Sequence, residues 1–217
     1  MINLCLPRDG RPLHILCLGA HADDIEIGCG GTISRLIAER PDTTVRWVVF
    51  SGNEARRAEA HGSVAAFFDG MNADYQLCVH DFRDGYFPFY GAAIKDTFES
   101  LKQDAEPSLI FTHSRGDAHQ DHRLVAELTH CTFRNHCILE YEIPKFDGDL
   151  GNPNLFVPLK QSELRHKIKC ILANFPSQSG RQWFDEATFM ALARLRGVGC
   201  NAAEGVAEAF FASKLVL

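Results

Sequence analysis

The 217-residue chain has no run of Lys and Arg, and its formal net charge is −6. A protein held on nucleic acid mainly through phosphate contacts needs the opposite balance, so that class is set aside. A small anionic substrate met by one or two local arginines is still allowed. No apolar stretch is long enough to cross a bilayer as a helix. The opening Met1-Ile2-Asn3-Leu4-Cys5-Leu6-Pro7 lacks a charged start and a long apolar run, so no signal peptide is expected there. The 8 cysteines include no C-x-x-C pair; Cys5, Cys17, Cys78, Cys137 and Cys170 sit inside apolar runs instead. They read as small buried hydrophobes in a reducing, cytoplasmic setting, not as disulfides. Internal repeats and low-complexity segments are missing too.

What is present is a full core. Hydrophobic residues make up 46% and charged residues 23%, ordinary values for a packed globular protein. The length fits one domain, taken here as residues 1–217. Residues 13–20 are a near-continuous apolar run, which suits a parallel strand covered on both faces. Helix is expected over 32–39 with Thr32 as its cap, strand over 43–50, helix over 54–68 and strand over 75–82. Helix follows over 92–102, strand over 108–112, helix over 122–133 and strand over 137–143. Strands alternating with helices predict a three-layer, Rossmann-like, doubly wound α/β fold with a mostly parallel sheet. In the common order 3-2-1-4-5, strands one and four are neighbours at the switch point.

After Pro144 the pattern changes. Residues 147–154 carry turn chemistry, and two helices are expected over 162–174 and 183–196. Residues 202–217 fit a helix, a strand or both. We read 145–217 as a C-terminal lobe packed on the sheet that shapes the substrate site.

Two polar turns carry the chemistry. His21-Ala22-Asp23-Asp24 ends the first strand, followed by Gly28-x-Gly30-Gly31. The glycines miss the full G-x-G-x-x-G pattern, and an acidic turn before them would repel a pyrophosphate. His119-Gln120-Asp121-His122 lies beyond the fourth strand. The predicted strand order brings both turns to one rim. A hydrolytic zinc site takes three N or O ligands and leaves a position open for water. His21, one of the two aspartates and one histidine of the second turn supply that count. The other aspartate is then free to take a proton, and a spare imidazole to stabilise an oxyanion or protonate a leaving amine. His113 is expected one turn too early to join them.

His21-Ala22-Asp23-Asp24, the Gly-rich segment, Ser51 with Arg56-x-x-Glu59, and His119-x-Asp121-His122 resemble the LmbE-like (PIG-L-like) zinc-dependent de-N-acetylases. The likeness spans roughly residues 13–145. Ala22 replaces the proline usual in the family's first motif, a change that touches turn rigidity and no liganding atom. The resemblance implies that His21, Asp24 and His122 hold Zn2+, that Asp23 is the general base, and that His119 stabilises the oxyanion or donates a proton. It implies that Asp121 orients a histidine and that Arg56 contacts substrate. It also implies a small-molecule partner, an N-acetylated amino sugar or its conjugate, losing its acetyl group; a homo-oligomer is compatible with the sequence. Two other readings stand beside it. Two histidines and a carboxylate also make a non-haem Fe(II) site. In the other, the polar turns only cap helices of a Rossmann-like ligand-binding module.

Overall fold

A computed structural model describes residues 10–104 and 106–215. Cys5 and the opening segment lie outside the described residues. The elements are β1 (His14–Gly19), α1 (Asp24–Glu39), β2 (Thr44–Val49), α2 (Glu54–Phe68), β3 (Asp74–Val79), α3 (Gly91–Asp104), β4 (Leu109–His113), α4 (Gln120–Thr132), β5 (Ile138–Tyr141), β6 (Leu155–Pro158), α5 (Gln161–Asn174), α6 (Glu186–Gly199) and β7 (Ala207–Ala212). They build one seven-stranded sheet of order 3-2-1-4-5-7-6. Strands 1 to 5 pair in parallel, and β7 pairs antiparallel with both β5 and β6.

Period-two alternation in β1 decides the layers. Ile15 and Cys17 join the apolar cluster under α1, α2 and α5, whereas Leu16 and Leu18 join the cluster under α3 and α4. Both faces of the strand are therefore covered, as its unbroken apolar run requires. Among the described residues, no helix is long and apolar enough to cross a membrane.

The structure refines three expectations. Helix α1 starts at Asp24, not Thr32, so Gly28, Gly30 and Gly31 lie inside it. The reason is closeness: a Cβ on Gly28 would come 2.2 Å from the Tyr141 ring, and one on Gly31 would come 2.5 Å from Leu159. The glycines let a helix press against its neighbours; they do not break it. The C-terminal segment, in turn, is not merely laid on the sheet, because β6 and β7 extend it. Helix α6 also starts later than expected, behind Asp185, whose side chain accepts the Thr188 N–H at 2.7 Å.

Candidate metal centre and active site

Because β1 and β4 are adjacent, the turns that follow them meet at the carboxyl rim of the sheet. His21 Nδ1 lies 3.1 Å from His122 Nε2. Asp24 presents Oδ2 to His21 Nδ1 at 3.4 Å and Oδ1 to His122 Nε2 at 3.6 Å. Ligand atoms about 2.0–2.2 Å from a tetrahedral ion stand roughly 3.3–3.6 Å apart. The donor types of this triad suit zinc, and its pairwise contacts lie near that spacing, with Asp24 turning a different oxygen to each imidazole. Three groupings present donor atoms that all lie within 4.8 Å of one another and could hold a cation: His21 with His119 and His122, His21 with Asp84, His119 and Asp121, and Asp24 with His113 and His122.

Each imidazole is oriented by its far nitrogen. His122 Nδ1 is 2.9 Å from Asp117 Oδ2, which leaves Nε2 facing His21 and Asp24. His21 Nε2 is 3.0 Å from Asp84 and 3.4 Å from Asp121. Such carboxylate partners fix the ring and its tautomer in metal sites. Asp121 is fully buried and also accepts the backbone N–H groups of Gly85 at 2.6 Å and Phe87 at 3.1 Å. It thereby ties the loop after β3 to the site. His119 caps α4, its Nδ1 accepting the Asp121 N–H at 3.2 Å. That bond makes the ring a neutral tautomer with Nε2 as donor.

Burial works against a charged His21, but hydrogen bonds to Asp121, Asp24 and Asp84 outweigh it and hold its pKa well above the usual imidazole range. Burial, then the charge of His113, pulls His122 down to about 4. Burial, then the charge of His21, lowers His119. The two aspartates diverge. Burial raises Asp23 despite the opposing charge of Arg56. For Asp24, burial is outweighed by the imidazoles of His122 and His113, which hold it well below the carboxylate range. Asp23 stands at the N-cap of α1 yet makes no side-chain cap bond, so capping does not account for it.

Three residues that the sequence reading left out belong here. His113 is wholly buried at the end of β4, with Nε2 3.1 Å from Asp24 Oδ2 and 2.9 Å from the Ala20 nitrogen. It does not lie a turn too early: β4 runs one residue further than expected and delivers it to the rim. Asp117 and Asp84 are the other two. Arg56, expected against substrate, spends its guanidinium on protein. It meets Asp23 Oδ1 at 2.5 Å, Glu59 Oε2 at 2.9 Å and Ser177 Oγ at 3.0 Å, above the Phe175 ring.

Fold and site define a class: a doubly wound α/β protein with a His/Asp centre at the switch point of its sheet. The family model described as GlcNAc-PI de-N-acetylase, PIG-L, matches residues 16–132, and the chain belongs to that family of deacetylases. Over 147 residues it is 30% identical to an uncharacterized deacetylase, YaiS, of Escherichia coli K12, a match covering 60% of this chain and 74% of that one. The N,N'-diacetylchitobiose deacetylase of Pyrococcus horikoshii superposes with a TM-score of 0.70 at 21% identity, over 92% of this chain and 83% of that chain. So does GalB, the 4-carboxy-2-hydroxymuconate hydratase of Pseudomonas putida KT2440, with a TM-score of 0.68 at 17% identity, over 94% and 98%. At such identities the superpositions show a shared fold and no more.

Proposed function

We propose that this protein is a zinc-dependent hydrolase that removes the acetyl group from an N-acetylated amino sugar or its conjugate. The observation that carries the reading is the meeting of His21, Asp24 and His122 within 3.1–3.6 Å of one another. In this reading those three residues hold the ion. Bound there, zinc supplies Lewis acidity and a water of lowered pKa.

The remaining roles fall to the chain. Asp23 lies one residue from a ligand and is the acceptor for the proton of the attacking water. Its raised pKa suits a base better than an ordinary carboxylate would. Arg56 holds that carboxylate in place at 2.5 Å. His119 offers an Nε2 donor to the oxygen that gains charge as water adds to the amide carbon. When the C–N bond breaks, the proton taken by Asp23 passes to the nitrogen. The products are acetate and a free amine.

The test is acetate release from a panel of N-acetylglucosamine conjugates, with metal-stripped protein and with added Zn2+ or Fe2+. Release that zinc restores supports the reading. No release from any conjugate ends it, and turnover that needs Fe2+ and dioxygen moves the site to the oxygenase class.

A further inference from the structure

Behind His122 runs a chain of charges that leads out of the site. Asp117, 4% exposed, holds His122 Nδ1 with Oδ2 at 2.9 Å. Its Oδ1 accepts the His119 N–H at 2.8 Å and lies 3.1 Å from Lys145 Nζ. Lys145 Nζ also meets Asp149 Oδ2 at 2.5 Å, and that same oxygen accepts the Ala118 N–H at 2.7 Å. Lys145 and Asp149 come from the segment just after β5, outside both polar turns. The Lys145 side chain is only 9% exposed.

We propose that Lys145 is a positioning residue for the metal-facing nitrogen of His122, acting through Asp117. A neutral imidazole carries one proton, and the nitrogen without it is the one that binds metal. Asp117 fixes the proton on Nδ1 only while it is an anion in a set orientation. Lys145 gives it both: a positive charge at one oxygen, and a fixed place because Asp149 grips the same ammonium. Without that ammonium, Asp117 and Asp149 become two carboxylates crowded around an empty position. Asp117 then turns away, and the turn releases His122 Nδ1. The inference goes beyond the proposed deacetylation and borrows from it only the assignment of His122 as a ligand.

The experiment uses the full chain, wild type, Lys145→Met and Lys145→Arg. Imidazole nitrogen shifts of His122 are read by NMR in metal-stripped protein, and zinc affinity by chelator competition. Wild type should show a proton on Nδ1 and a bare Nε2. Lys145→Met should give mixed tautomers and bind zinc about 10- to 100-fold more weakly, the usual effect of losing an outer-shell partner. Lys145→Arg, which keeps the charge, should hold the wild-type tautomer. A wild-type proton on Nε2 overturns the inference, even if Lys145→Met does not fold. So does a Lys145→Met protein whose tautomer and zinc affinity match wild type. The metal-free spectra stand whether or not acetate is ever released, so the two proposals fail separately.

Discussion

Asp23 and Asp24 are the same side chain in adjacent positions with opposite surroundings. Asp24 faces three imidazoles, those of His21, His113 and His122; Asp23 faces Arg56 from a buried position that pushes its pKa up. Paired carboxylates driven apart in this way mark an acid–base division of labour. Asp23→Asn should keep stoichiometric zinc and lose turnover by about 10²- to 10⁴-fold, the range for a missing general base. Asp24→Asn should lose the zinc itself. Elemental analysis and acetate release read the two effects separately; full turnover in Asp23→Asn removes that residue from the reaction. Both aspartates, His21, His119, Asp121 and His122 were legible because they cluster within two short turns. Asp117 was not, since it lies five positions before His122 and no helix or strand period pairs a loop carboxylate with a helical imidazole at that spacing. Asp84 comes from the loop after β3, and nothing in its own sequence neighbourhood points to His21.

At the scale of elements, α1 shows how glycine misleads. Read along the chain, three glycines in four positions signal a loop. In the fold they mark where the helix touches Tyr141 and Leu159, side chains that lie more than a hundred residues away and leave no local trace. Tyr141 has little room to move, because its hydroxyl donates to the Leu18 carbonyl at 2.7 Å. Gly28→Ala gains about 1 kcal/mol of helix propensity. Overpacking against a fixed ring costs typically about 1–3 kcal/mol, so the net change should be a loss. Urea denaturation checks this, and a variant more stable than wild type refutes the packing account.

Strand β5 supplies a second prediction at this scale. Buried Glu140 accepts the Arg115 N–H and its Nε–H at 2.9 Å each, and pairs with His130 at 2.8 Å. Burial pushes its pKa up, but the His130 bond and the Arg115 contacts win and lower it from 4.5. A depressed carboxylate adds stability above its unfolded pKa and loses it as pH falls through the folded one. The gap in urea midpoint between wild type and Glu140→Gln should therefore be full at pH 7 and close in acid below pH 4.5. A gap that persists unchanged at pH 3 would exclude the linkage.

For the whole molecule, the question is what binds the C-terminal segment to the half that carries the site. Besides the β5–β7 ladder and the shared apolar cluster, a buried ion pair set into a helix does so. Lys167 of α5 donates to the Ile27 carbonyl and to Glu208 of β7, both at 2.6 Å. Glu208 in turn accepts the Gly31 N–H at 2.9 Å and the Thr32 N–H at 2.7 Å. Two amides and a carbonyl in the middle of α1 thus look outward to α5 and β7 for partners. Little along the chain signals this, since Lys167 lies in an amphipathic helix and Glu208 in a short stretch of Ala and Phe, where a charge reads as solvent-facing. For the same reason 202–217 fits helix and strand equally from its sequence, although β7 is a strand paired on both sides. Glu208→Ala leaves the buried Lys167 ammonium without its carboxylate, held by the Ile27 carbonyl alone, and takes the side-chain acceptor from the Gly31 and Thr32 amides. Removing one member of a buried pair costs about 3–5 kcal/mol, a large share of a domain's stability. Replacing both, as Lys167→Met with Glu208→Leu, should recover part of that loss through apolar contact while leaving the amides without the Glu208 carboxylate. Denaturant unfolding of the two variants measures the difference. If Glu208→Ala unfolds at the wild-type midpoint, the pair does not hold the C-terminal segment to α1.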